Sequence, residues 1–142
     1  MSIICKGNKP KFETTSVDIK AYKVLVPNTT KYNVRWMTPY ARTPIGKDVL
    51  DGSKVFNATG KAKFTPCGSR ECCFSEGYIH TYAMEQDAQI VARIICGKVF
   101  PVIIPKGTRY VCGMNKVFSD PLHRLTFASK SIVFDNGSGT LF

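Results

Sequence analysis

Within the thirty-five residues from Glu76 to Tyr110 the apolar pattern changes period twice, and this constrains the fold more than any other feature. "GYIHTY" (Gly77 to Tyr82) reads as a strand. Its period of two puts Tyr78, His80 and Tyr82 on one face and Ile79 on the other. Met84, Ala88, Val91 and Ile95 then recur at i, i+4, i+7 and i+11, the apolar stripe of a helix over about 84–96. Thr81 fits its N-cap, Glu85 and Asp87 suit its positive end, and Gly97 fits the residue after its last turn. "KVFPVIIP" follows at once, β-branched and apolar like a central strand. Pro101 inside it assigns that end to an edge or bulge, because proline cannot donate to a ladder.

The rest of the chain supplies short strands. Val17–Val26 and Lys31–Met37 alternate, with Tyr32, Val34 and Trp36 on one face of the second and Lys31, Asn33 and Arg35 on the other. Residues 38–54 hold two prolines and two glycines and read as a long loop or pair of turns. "RYVCGM" is a further short strand, "VFSDPLHRLTF" a loop, and "SKSIVF" a last strand. The expected fold class is α+β, mainly β: a compact single domain with seven or eight short strands and one clear helix. Residues 1–16, polar and Lys-rich, read as a basic irregular arm, and 17–142 as the domain.

A length of 142 residues suits one core. No apolar run approaches 18 residues, so no membrane helix is expected, and the first residues lack the apolar stretch of a signal peptide. The expected location is therefore the cytoplasm. In that setting Cys5, Cys67, Cys72, Cys73, Cys96 and Cys112 read as free thiols. Cys67-x4-Cys72-Cys73 lacks zinc-knuckle spacing, and no metal is assigned.

The net charge is +10 and unevenly placed. Residues 1–63 carry 12 Lys/Arg against 4 Asp/Glu, and residues 64–142 carry 8 against 6. A basic half attracts polyanions through long-range fields, so nucleic acid, a nucleotide or an acidic protein surface are the expected partners. Two groups of residues fit such ligands. Arg35, Tyr40 and Arg42 combine guanidinium groups, which match phosphate, with an aromatic surface. Tyr78, His80 and Tyr82 set two rings beside an imidazole just before a helix N-terminus, which favours anions. The bland alternatives are core burial for Trp36 and an amphipathic sheet face for the Tyr-His-Tyr set. No Ser-His-Asp order, HExxH, GxSxG or paired-carboxylate motif is present, and binding is expected ahead of catalysis.

"GYIH", "IPKGTRY" and "ASKSI", at Gly77–His80, Ile104–Tyr110 and Ala128–Ile132, resemble a pattern in small proteins of bacteriophages and gut-bacterial prophages. The likeness covers about a third of the chain and implies a phage origin. In outline the same order is similar to ADP-ribosyltransferases. That second resemblance implies that Arg35 or His80 would hold NAD and that Tyr82 would stack on the nicotinamide ring. The family's catalytic glutamate has no counterpart in "SKSIVFD", where only Asp135 lies near. The sequence thus points to a small basic binding protein without a cofactor. A transferase-like enzyme using NAD and a virion structural protein are the alternatives.

Overall fold

The computed structural model describes residues 3–29, 31–117 and 120–135. It holds twelve strands and two helices: β1 (Ile3–Lys6), β2 (Glu13–Thr14), β3 (Ile19–Thr29), β4 (Val34–Met37), α1 (Lys47–Leu50), β5 (Phe56–Asn57), β6 (Thr65–Gly68), β7 (Glu71–Phe74), β8 (Ile79–Tyr82), α2 (Glu85–Ile95), β9 (Lys98–Ile104), β10 (Arg109–Asn115), β11 (Arg124–Ser129) and β12 (Ser131–Phe134). One sheet runs β5-β12-β9-β3-β8-β11-β10-β1-β7-β6, with β2 added to β10 and β4 to β3. All of its pairings are antiparallel.

This corrects the expected α+β class with seven or eight strands and one helix. The fold is dominated by its sheet. The extra strands were hidden for two reasons: β2 is two exposed residues held by backbone pairing, and the inward positions of β11 are mostly polar, with Arg124, Thr126 and Ser129 buried beside Ala128. A two-residue strand carries no alternation to read. The extra helix, α1, is a four-residue turn inside the 38–54 loop, with no buried residue.

The basic arm is also corrected. Ile3–Lys6 pairs with β10 on one side and β7 on the other, deep within the sheet. Ile3 and Cys5 are buried there. Gly113 of β10 permits the approach, since a Cβ at that position would lie 2.6 Å from the Ile4 carbonyl oxygen.

β11 and β12 are separated by Lys130 alone. β12 pairs with β9, β9 with β3, β3 with β8, and β8 with β11. β11 and β12 are thus consecutive in the chain but have three strands between them in the sheet, and Lys130 is the corner between them. Its N–H donates to the Arg109 carbonyl, and its own carbonyl accepts from Ala58 N–H. The core divides accordingly. Leu25, Val102, Ile104, Ile132 and Phe134 pack together on the β3-β9-β12 side. Ile3, Cys72, Phe74 and Ala128 pack at the other end. The third cluster lies under α2, where Ala88, Val91 and Ala92 meet Val24, Tyr82 and Val117.

The ends of α2 differ from expectation. Its N-cap is Met84, with no side-chain cap bond, and Thr81 is a buried residue of β8. The left-handed residue that ends the helix is Cys96, with φ 59°, ahead of Gly97. Pro101 sits inside β9 opposite Tyr22, and its carbonyl accepts from Asp135 N–H where β12 ends. Its missing N–H thus falls at the end of a ladder.

Candidate functional site

β3 and β8 meet at one residue pair, Tyr22 opposite Tyr82. A longer ladder would have set Val24 opposite His80. The strands part instead, and a cavity of about 550 Å³ opens beside them. Its walls come from three segments: Thr38–Thr43, Phe56–Gly60 and Ser75–His80. Volumes of this size are typical of small-molecule sites.

Lys23 forms part of the lining. It stands in phase with Ala21 and Leu25, the buried positions of β3, and is only 7% exposed. Its Nζ donates to the His80 carbonyl at 3.0 Å. Among the described residues no carboxylate pairs with it. An ammonium has three donors, so two N–H directions have no acceptor among the described residues. Burial lowers its pKa from 10.5 to about 8, because a charge is poorly solvated in the interior.

His80 lies beside it. The Nε2 atom of His80 is buried without a hydrogen-bond partner, and Phe74 meets the imidazole edge-on at 6.2 Å. Burial and the nearby Lys23 ammonium push its pKa down to about 3. The imidazole is therefore neutral at ordinary pH. Glu76, exposed, is the carboxylate of the lining. The cavity thus has a buried amine and a neutral imidazole within, and one solvated carboxylate at its mouth.

The Thr38–Thr43 wall is a tight loop. Thr38 N–H donates to the Thr43 carbonyl, and Thr43 N–H donates back to Thr38 Oγ1. Tyr40 and Arg42 are left-handed, with φ of 66° and 55°, which is uncommon for residues with a side chain. On the opposite wall Gly77 has φ 85°, and a Cβ there would come within 2.5 Å of Ala62 N. Its carbonyl accepts from Lys130 Nζ at 2.8 Å, so the sheet corner braces the mouth of the cavity.

The sequence-derived residues do not form one surface. Tyr40, Tyr78 and His80 line the cavity. Tyr78 offers an edge only: Phe12 stacks on one face at 4.5 Å, and Lys130 Nζ lies 4.3 Å over the ring, which places it on the other face. Its hydroxyl accepts from Arg109 Nε. Tyr82 is buried under α2, where its hydroxyl donates to Asn115 Oδ1 at 3.3 Å. Tyr82 thus stands apart from Tyr78 and His80, at the point where β8 pairs with β3. Arg35 lies on β4 and lines a separate depression of about 560 Å³ with Trp36 and Leu50. Arg42 is exposed in the loop and outside the cavity lining. The N-terminus of α2 also contributes no residue to that lining.

Lys23 is the residue that pattern reading missed. Its signal was present, since a lysine in phase with Ala21 and Leu25 breaks an apolar face. A second buried polar group was also missed. Arg124 holds both oxygens of Asp120, at 3.0 and 3.1 Å, and donates to Asp87 of α2 at 3.0 Å. It fastens the helix to Asp120 and to the start of β11, away from the cavity lining. The cysteines are free thiols, with Cys5 and Cys72 buried as cross-strand neighbours. Among the described residues no three His, Cys, Asp or Glu side chains gather to hold a metal, and no helix is long and apolar enough to cross a membrane. No family model, curated protein or solved structure matches this chain.

Proposed function

We propose that the protein acts by binding a small anionic ligand, of about nucleotide size, in the cavity beside β3 and β8. The observation that carries this reading is Lys23. A buried amine with no carboxylate beside it, at the wall of an open cavity, is costly for the fold and complementary to an anion. Glu76 at the mouth favours a ligand whose anionic group goes inward and whose outer end is neutral or positive. The basic surface of residues 1–63 would raise the local concentration of such a ligand. In the phage setting suggested by the sequence, a host nucleotide signal is one ligand of this kind.

Binding is favoured over transfer because Tyr82, the ring a transferase would stack on the nicotinamide, is buried under α2 and lines neither the cavity with His80 nor the depression with Arg35. The reading is tested by calorimetric titration of wild type and Lys23→Met with AMP and with inorganic phosphate. Lys23→Met should weaken binding at least about tenfold, or about 1.4 kcal/mol. Equal affinities in the two proteins refute the cavity reading. Steeply salt-dependent binding of DNA that ignores Lys23→Met would move the function to the basic surface.

A further inference from the structure

We propose that Lys23 is a carbonyl-capturing lysine, which binds a small aldehyde or ketone in the cavity as an imine. The proposal rests on the reading that this cavity receives a small ligand, and it names the chemistry of that ligand's inner end. Four features of the site support it.

First, Lys23 is a lining residue of an open cavity, with its backbone fixed in β3, so a ligand in the cavity meets this side chain in the folded protein. Second, the single acceptor of Nζ is a backbone carbonyl, which cannot take the proton permanently and leaves two directions open. An amine locked in an ion pair would stay protonated and unreactive, and among the described residues Lys23 has no such partner. Third, burial lowers its pKa to about 8, so roughly a tenth of the population is neutral near pH 7, against well under a hundredth for an exposed lysine. Fourth, the groups facing the site do not reverse this. His80 is held neutral and Tyr40 is raised by burial, while Glu76 is exposed to solvent.

The step balances without an oxidant or reductant. The lone pair of neutral Nζ attacks the carbonyl carbon and forms the C–N bond. The C=O π pair moves to oxygen, which takes the proton lost from nitrogen to give a carbinolamine. Loss of that hydroxyl with a second proton from nitrogen releases one water and leaves C=N.

The test is reductive trapping. The intact protein is incubated with glyoxylate, which joins an aldehyde to a carboxylate, and then treated with borohydride. Adducts are located by peptide mass spectrometry. At limiting glyoxylate near pH 7, Lys23 should carry most of the adduct, at least tenfold above any other lysine. Lys23→Arg should abolish that adduct, since a guanidinium does not form an imine under these conditions. If the surface lysines are labelled and Lys23 is not, the proposal is overturned. In that case retained phosphate binding by wild type leaves the anion-binding reading standing, and its loss removes both. Unchanged circular dichroism of the variant shows that the lost adduct is not lost structure.

Discussion

Replacing Lys23 by methionine should make the protein more stable at pH 7, and the gain should shrink as pH rises. The side chain is 7% exposed, and burial lowers its pKa from 10.5 to about 8. Between those values the folded protein binds fewer protons at this site than the unfolded chain. Stability therefore rises with pH from about 8 to about 10.5, and below about 8 the full cost of the buried charge is present. A displacement of about 2.5 pKa units is about 3 kcal/mol. Methionine fills a similar volume but loses the hydrogen bond to the His80 carbonyl, worth about 1 kcal/mol. The net gain at pH 7 is then about 2 kcal/mol. Because every other titrating group is common to both proteins, the difference between them isolates Lys23. The variant's advantage should fall by about 2 kcal/mol between pH 7 and about pH 9.5. Urea unfolding of both proteins at the two pH values measures this directly. A difference that stays constant with pH would mean that Lys23 titrates like an exposed lysine. The argument that the site holds a poorly solvated amine would then collapse.

Two further perturbations probe the frame around the cavity. Gly77→Ala should destabilise by about 1–3 kcal/mol, since it combines φ 85° with a backbone atom 2.5 Å from the new Cβ, whereas Gly107→Ala, at φ 86° in open space, should lose less in the same thermal unfolding experiment. Arg124→Met should lose about 3–5 kcal/mol by leaving the 1% exposed Asp120 without its partner. Asp120's own pKa is lowered, chiefly by its hydrogen bond from Arg124, so its contribution is present above the ordinary carboxylate pKa and is lost as acid protonates it. Adding Asp120→Asn to Arg124→Met should therefore recover part of the loss, and an additive double variant would refute the pairing.

How much of this was legible in the residues depended on whether side chains or backbone carried the information. The helix between β8 and β9 announced itself through Ala88 and Val91, since one face had to be apolar to pack on Val24. β9 was legible for the same reason. β2 was not, because its pairing satisfies backbone groups while both its side chains face water, and 54–68, which reads as a short hairpin, instead sends β5 to β12 and β6 to β7. β1 was hidden by the lysines, glycine and proline that follow it, although Ile3 and Cys5 already alternated with Ile4 and Lys6. The site was half legible. Tyr40, Tyr78 and His80 do share a cavity, yet nothing local in "GYIHTY" shows that β8 pairs with β3 at Tyr82 and that this ring lies in the core. Lys23 lay in plain view inside an apolar alternation. It passed for an ordinary strand lysine because period-two reading was used to find the strand and not to test which of its residues faced inward.

The position of β1 has a consequence for how the chain comes to be folded at all. Ile3 pairs with Phe74 on one side and with Asn115 on the other. As the chain emerges from the ribosome, β1 can dock on β7 early, but its other edge stays bare until β10 has been made. A strand carrying Ile3, Ile4 and Cys5 thus presents an open edge throughout most of synthesis, in a topology whose long-range pairings form slowly. Lys6 ends that strand, and Lys9 and Lys11 follow it in sequence. During this interval their like charges would discourage two nascent copies from pairing edge to edge.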